Sequence, residues 1–279
     1  MTEVFQRSRV VQAWLAGIRY LESQKSHDAT NIVLEISSPQ AATKEDREVV
    51  TAVNQALQKR KPERTVMTAA GTIFPQTIYK RYGRPDWYAH YKTIIARGMR
   101  PNSWGTYALR MIERQDSHGV TFNPLEKIIE KLTVVRTENR NQIVAAYELG
   151  VCDPAVDFAN ELNGLGFDLP TYDPCTDRHK WMGSACLSHV TFKLMRGKLD
   201  LTAIYRSHYY AQRALGNLIG LAQLQQYVAQ ESGFEPGTLT CISTYAKLDD
   251  GLGGIRAASK LLETFPIDET LIKEALESI

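Results

Sequence analysis

The chain has 279 residues, of which 43% are hydrophobic and 23% are charged, which is typical of a folded globular protein and excludes a disordered one. Its formal net charge is +2, so charge gives no argument for direct nucleic-acid binding, which needs clustered basic residues. No apolar run approaches the roughly 18 residues of a membrane span, and the N-terminus lacks the apolar segment of a signal peptide.

The first half of the chain predicts a mixture of helices and strands. An apolar stripe predicts a helix over residues 4–24, and an apolar run predicts a buried strand over 31–36. A second helix is predicted over 44–57, with acidic residues at its start, and residues 65–74 are interpreted as a strand. Residues 75–112 mix aromatic side chains with turn formers, and their pattern favours no single element.

The second half gives a clearer pattern. "NPLEKIIEKL" predicts a helix with an asparagine cap and an early proline, and "NQIVAAYEL" predicts a strand. "HVTFKL" and "KLDLTAIY" alternate around Gly197, which predicts a hairpin. A long helix is expected from about Tyr209 to Ser232, ended by Gly233, with Gly216 and Gly220 allowing another element to pack closely. "GTLTCIST" predicts a further strand, and two helices close the chain, which gives one α+β domain.

The four cysteines, at positions 152, 175, 186 and 241, are irregularly spaced. This spacing favours a reducing compartment, and we expect a cytoplasmic protein. Cys175, His179, Cys186 and His189 have side chains suited to zinc, but their spacing matches no common zinc finger. Cys186 and His189 would also lie on opposite faces of one strand, so no metal site is predicted.

Four segments, in consistent order, carry a resemblance to a known family. They are "SWGTYALRM", "NPLEKIIEKL…TENRNQIVAAY", "SACLSHVTFKLMRGKLDLTAIYRS" and "ALGNLIGLAQLQQYVAQESGFEPGTLTCIS". Together they resemble thymidylate synthase and its pyrimidine hydroxymethylase relatives over residues 104–249. Positions 20 and 31 residues after Cys186 carry the arginine and asparagine of the family pattern.

The resemblance implies a role for each residue that it matches. Cys186 would be the nucleophile that adds to C6 of a pyrimidine ring, which turns C5 into a nucleophile toward a one-carbon electrophile. Arg206 and Ser207 would bind the substrate phosphate, since a guanidinium fork suits phosphate oxygens. Asn217 would read the base by donating to O4 and accepting from N3–H, and Arg140 would reach a phosphate across a dimer interface.

Five further residues are candidates around this core. Trp104 lies in the first matching segment and His208 beside the Arg-Ser pair, and both are expected to contact substrate. Lys247 and Asp249 occupy positions where the family contacts the sugar, and we expect them to read an altered sugar or an extra substituent. The resemblance implies methylenetetrahydrofolate as the cofactor, and Tyr209 occupies the position of the aspartate that holds its pterin in the family.

The resemblance also implies an architecture. It predicts a thymidylate-synthase-like α+β fold whose central mixed β-sheet is packed by helices and forms the interface of a homodimer with shared active sites. Residues 1–103 would be a divergent N-terminal part of the single domain, 104–249 its family-like core and 250–279 its C-terminal helices. The expected partner is a pyrimidine mononucleotide.

Several positions depart from the family pattern. Leu187 follows the cysteine in place of histidine, Thr191 stands in place of glutamine, and Asn141 replaces the second of two arginines. No glutamate lies between Glu63 and Glu113 to serve as the family's catalytic glutamate. These departures favour a methyl or hydroxymethyl transfer to C5 other than standard dUMP methylation. They leave open a non-catalytic homologue that binds nucleotides as a sensor or partner.

Overall fold

The computed structural model describes residues 2–99, 105–115, 120–137, 168–170 and 185–265. The described helices are α1 (Val10–Ser23), α2 (Lys44–Arg60), α3 (Val66–Ile73), α4 (Gln76–Tyr82), α5 (Asp86–Gly98), α6 (Tyr107–Ile112), α7 (Pro124–Thr137), α8 (Leu215–Ser232) and α9 (Ile255–Glu263). A π-helical turn at Tyr210–Ala214 leads into α8, and a 3₁₀ turn at Asp250–Leu252 precedes α9.

The described strands are β1 (Glu3–Arg7), β2 (Asp28–Ile36), β3 (Arg114–Gln115), β4 (Thr121–Phe122), β5 (Asp168–Pro170), β6 (Leu187–Met195), β7 (Lys198–Tyr205), β8 (His208–Tyr209) and β9 (Glu235–Lys247). The main sheet has the order β1-β2-β9-β7-β6-β5, and β8 pairs with β9 beyond the end of β7. The pairs β1–β2, β7–β9 and β8–β9 are parallel, while β2–β9, β6–β7 and β5–β6 are antiparallel. The expected α+β architecture with a mixed central sheet packed by helices is therefore confirmed.

The sheet buries one face against helices. Leu201 and Ala203 of β7 and Leu239 and Cys241 of β9 are fully buried, and they alternate with half-buried residues on the other face. This alternation follows from the two-residue period of a strand, which sends successive side chains to opposite faces. Helices α1 and α8 pack on the buried face, and both contribute to one continuous hydrophobic core.

Close packing of α8 against α3 confirms the expectation drawn from two glycines. A Cβ atom at Gly220 would lie 2.7 Å from the carbonyl oxygen of Ala70. A Cβ atom at Gly216 would lie 2.6 Å from Cβ of Ala69 and closer still to the carbonyl oxygen of Val66. The backbones can approach this closely only because neither glycine has a side chain. This contact fixes the start of α8, where Asn217 lies.

Two sequence predictions in the first half are wrong. Residues 65–74 form helix α3, because Thr65 makes a capping box with Thr68 and the buried residues recur with a helical period. Val4 belongs to strand β1, whose side chains alternate in exposure, and the helix predicted over 4–24 begins only at Val10. Both errors came from apolar runs too short for their period to be decided by inspection.

Other predicted elements are confirmed with shifted ends. The strand over 31–36, the helix over 44–57 and the helix over 123–132 correspond to β2, α2 and α7, and the hairpin around Gly197 is β6–β7. Gly233 ends α8 with φ of 77°, the left-handed conformation that glycine adopts readily. The strand predicted over 141–149 lies outside the described residues. Across the described ranges, every helix is too short or too polar to cross a membrane.

Candidate active site

Cys186 lies immediately before strand β6, and a tyrosine from helix α6 holds its backbone. The hydroxyl oxygen of Tyr107, at the start of α6, accepts hydrogen bonds from the backbone N–H groups of Cys186 at 3.1 Å and Leu187 at 3.2 Å. Tyr107 is buried, and burial raises its pKa, so it remains a neutral hydroxyl at physiological pH. The Cys186 side chain is half-buried.

Arg206 lies next to Cys186, as the sequence predicted. Its backbone N–H donates to the carbonyl oxygen of Cys186 at 2.9 Å, and its Nε donates to the carbonyl oxygen of Ala185 at 2.9 Å. Arg206 and Ser207 occupy the break between β7 and β8, where the chain leaves its pairing with β9 and then resumes it. The residue is exposed although its Nε is anchored.

Two opposing effects set the acidity of the Cys186 thiol. Burial raises its pKa above the ordinary value, and the positive charges of Arg206 and Arg213 oppose that rise. Burial is the larger effect, so the ligand-free protein carries a thiol at neutral pH. Any group that strengthens the positive field would increase the fraction of reactive thiolate.

Arg213 is a site residue that the sequence analysis missed. It lies on the π-helical turn before α8, is exposed, and acts electrostatically on both Cys186 and Tyr107. Within the described residues it makes no hydrogen bond or ion pair. Its position four residues before Asn217 was the available signal, because residues i and i+4 share a helix face.

Asn217 and His208 are in direct contact. Nδ2 of Asn217 lies 3.2 Å from Nε2 of His208, and Nδ1 of His208 lies 2.9 Å from Oγ of Ser243 on β9. All three residues are buried, and His208 is only 1% exposed. Burial lowers the pKa of His208 from 6.5 to about 3, so the ring is neutral at physiological pH.

Tyr209 and Lys247 are exposed neighbours on the paired strands β8 and β9. Asp249 is buried, and its carboxylate accepts hydrogen bonds from the backbone N–H groups of Gly251 at 3.0 Å and Gln212 at 3.4 Å. Burial raises the pKa of Asp249, while these two hydrogen bonds oppose the rise. Asp249 thus caps the 3₁₀ turn and ties it to the π-helical turn that carries Arg213.

Several predicted site residues fall outside the described ranges. Trp104 and Arg140 are among them, and so are Cys175 and His179 of the zinc alternative. Among the residues that the structure does describe, no three histidine, cysteine, aspartate or glutamate side chains are grouped to hold a metal ion.

Comparison with known proteins gives partial matches to thymidylate synthases. The chain is 42% identical over 65 residues to a protein of Methanosarcina barkeri named "Putative thymidylate synthase", a match that covers 23% of this chain and 30% of that protein. A protein of the same name from Methanococcoides burtonii is 35% identical over 82 residues, covering 29% and 36% of the two chains. Over these segments the chain is similar to the two proteins. No family model matches its sequence.

The match is limited in extent, since it spans about a third of the length of these curated relatives. A crystal structure of thymidylate synthase from T4 phage aligns with 91% of this chain and 82% of its own, with a TM-score of 0.45 and 12% identity. Likeness at that level says nothing about the chemistry of the site.

Proposed function

We propose that this chain transfers a one-carbon unit, methyl or hydroxymethyl, to C5 of a pyrimidine nucleotide through a covalent Cys186–C6 adduct. The observation that carries the proposal is the direct pairing of Cys186 with Arg206, whose backbone N–H and Nε both bond to the segment that carries the thiol. A nucleophile beside an arginine is the arrangement that a nucleotide with a reactive ring and an anionic phosphate requires.

The proposed chemistry begins with the thiolate. Its sulfur forms a bond to C6, and the C5–C6 electron pair moves to give an enolate at C4–O. C5 of the enolate then bonds to the carbon of the one-carbon electrophile. Loss of the C5 proton to water and departure of the one-carbon carrier would leave an exocyclic methylene on the ring. That methylene would take a hydride from a reduced folate to become methyl, or hydroxide from water to become hydroxymethyl, and elimination would then break the S–C6 bond to restore the thiolate. Arg206 and Arg213 would favour the thiolate at the start and at the end of this sequence, since both act on the Cys186 thiol.

Substrate binding would use the polar groups predicted around the thiol. Arg206 and Ser207 would hold the phosphate, with Arg140 and Trp104 completing the site from outside the described residues. Asn217 would pair with the base. Lys247, exposed at the end of β9, would approach the sugar or a ring substituent, and Asp249 would act from its buried position by holding the neighbouring turn.

Tyr209 bears on the identity of the one-carbon donor. Tyr209, at the family's pterin-binding aspartate, is exposed and carries a phenol in place of a carboxylate. A pterin could stack on its ring, but the carboxylate that would accept from the pterin is missing at this position. Methylenetetrahydrofolate, when bound, would supply the one-carbon unit.

We further propose that the open face of the sheet forms a homodimer interface. Val4, Val33, Ile242 and Ile204 are register partners across four adjacent strands, and Val4 is 57% exposed. An apolar row on a sheet face that no described helix covers is suited to a second copy of the same face. If Arg140 acts across this interface, mixing inactive Cys186→Ala and Arg140→Ala chains should restore roughly a quarter of the wild-type activity.

A second candidate function is a cytoplasmic nucleotide-binding homologue without catalysis. The observation that favours it is burial of Cys186, which raises the pKa of the thiol despite two arginines. The two functions are separated by exchange of the C5 hydrogen for deuterium. NMR spectra of dUMP and dCMP, incubated with the protein in deuterated water, measure this exchange. Exchange requires the C6 adduct, so a protein that binds the nucleotide tightly without exchange would be the non-catalytic homologue.

A further inference from the structure

The buried contact between His208 and Asn217 has consequences for how a base is read. Nδ2 of Asn217 can only donate, so Nε2 of His208, 3.2 Å away, must accept and carries no proton. The neutral ring then has its proton on Nδ1, which lies 2.9 Å from Oγ of Ser243 and donates to it. The contact therefore specifies both the tautomer of the histidine and the orientation of the asparagine amide.

The aromatic residues around His208 hold its ring in one orientation. The ring of Tyr205 lies parallel to the imidazole, with centroids 4.0 Å apart and planes inclined by 4°. Tyr210 meets the imidazole edge-on at 5.3 Å. Tyr205, His208 and Tyr210 are almost completely buried. Rotation of the imidazole would break both ring contacts and the bond to Ser243, so its acceptor nitrogen stays directed at Asn217.

Because one N–H of the Asn217 amide is bound to His208, its other N–H and its carbonyl oxygen are the groups left for a ligand. The second N–H of Asn217 and its carbonyl oxygen then lie side by side as a donor and an acceptor in a set order. A uracil edge offers the acceptor O4 beside the donor N3–H, whereas a cytosine edge offers a donor beside an acceptor. A freely turning amide could match either edge, while a fixed one matches a single edge and leaves groups unpaired against the other.

We propose that His208 is a positioning residue, which fixes the amide of Asn217 through Nε2 so that the site discriminates uracil from cytosine nucleotides. This inference rests on the proposed function, in which Asn217 donates to O4 and accepts from N3–H. Both ring nitrogens of His208 are engaged, Nε2 with Asn217 and Nδ1 with Ser243, so the histidine itself does not pair with the base. The histidine comes from the strand that follows Arg206 and Ser207, so the positioning residue and the proposed phosphate-binding pair share one short segment.

The binding experiment compares dUMP with dCMP by titration calorimetry on four proteins. These are the wild type, His208→Leu, His208→Gln and the exposed control His90→Gln. The wild type should bind dUMP at least tenfold more tightly than dCMP. His208→Leu removes the acceptor and should bring that ratio down about tenfold, while His208→Gln supplies an amide oxygen as acceptor and should largely restore it. The control should keep the wild-type ratio.

Two results would overturn the inference. One is an unchanged ratio in His208→Leu, and the other is an equal loss of affinity for both nucleotides, which indicates a purely structural role. Nitrogen-15 NMR of the histidine rings in the wild type provides a measurement that does not depend on the variant folding. The Nδ1–H tautomer of His208 supports the inference, and the Nε2–H tautomer refutes it because the amide would then be reversed.

The same experiments distinguish this inference from the proposed function. If the wild type forms a Cys186 adduct but His208→Leu keeps its base preference, only the positioning role fails. If the wild type binds neither nucleotide, the proposed function fails and the positioning role fails with it.

Discussion

Acid should destabilise this protein strongly through His208. The unfolded chain binds a proton at this histidine below about pH 6.5, whereas burial lowers the pKa of the folded chain's His208 to about 3. Between these values the unfolded state binds more protons than the folded state. The stabilising contribution is therefore complete above about pH 6.5 and is lost as the pH falls toward 3.

The magnitude follows from the two pKa values. When the pH falls from 7 to about 4.5, proton binding at His208 alone should lower the free energy of unfolding by about 2.5 kcal/mol. This is a large share of the roughly 5–15 kcal/mol that stabilises a typical domain. Acid should therefore shift the urea midpoint markedly within a range where most carboxylates remain ionised.

The assay is urea unfolding of the wild type and His208→Phe at both pH values. Phenylalanine can preserve stacking on Tyr205 but does not titrate, so the variant should lose about 2.5 kcal/mol less than the wild type on acidification. His90→Gln, at an exposed histidine, should lose as much as the wild type. Equal acid sensitivity in the wild type and His208→Phe would refute the view that His208 is buried and neutral.

Three further changes test the packing and the site. Gly216→Ala should destabilise the protein by about 1–3 kcal/mol in thermal unfolding because its Cβ would overlap α3, while Gly71→Ala, with no atom within 4 Å, should stabilise it by about 0.5–1 kcal/mol. Tyr107→Phe should cost about 1–3 kcal/mol of unfolding free energy in urea, since two backbone N–H groups lose their acceptor. Arg213→Gln should raise the pKa of Cys186 and slow its alkylation by iodoacetamide at neutral pH, and Arg213→Lys should retain the wild-type rate.

Much of the second half of the fold was predictable because its patterns are long or strongly marked. The β6–β7 hairpin has alternating strands around a glycine turn, and α8 has eighteen residues ended by Gly233. The short helices α3 to α6 were missed or misread, since 6–13 residues give few turns over which a period can be recognised. The order of strands, with β9 between β2 and β7, depends on pairing between distant segments that no local pattern records.

In the candidate site, too, some contacts could be predicted from the sequence and others could not. The proximity of Cys186 and Arg206 follows from the hairpin, because residues at its two open ends must lie side by side. The role of Tyr107 does not follow from any local pattern, and only the four-residue spacing from Asn217 points to Arg213. Tyr107 reaches Cys186 from a helix 79 residues earlier in the chain, and Arg213 lies on the π-helical turn before α8 and acts electrostatically on the thiol. Such contacts depend on tertiary packing.

The central claim is covalent catalysis by Cys186, and mass spectrometry tests it most directly. The protein is incubated with 5-fluoro-dUMP, with and without methylenetetrahydrofolate, and its intact mass is compared with that of Cys186→Ala. Fluorine at C5 cannot leave as a proton does, so the reaction should stop at the adduct on the wild type alone. The added mass should be that of the nucleotide without the folate, and that of the nucleotide plus the folate when methylenetetrahydrofolate is present. Failure of the wild type to form this adduct, or an equal adduct on Cys186→Ala, would contradict the account.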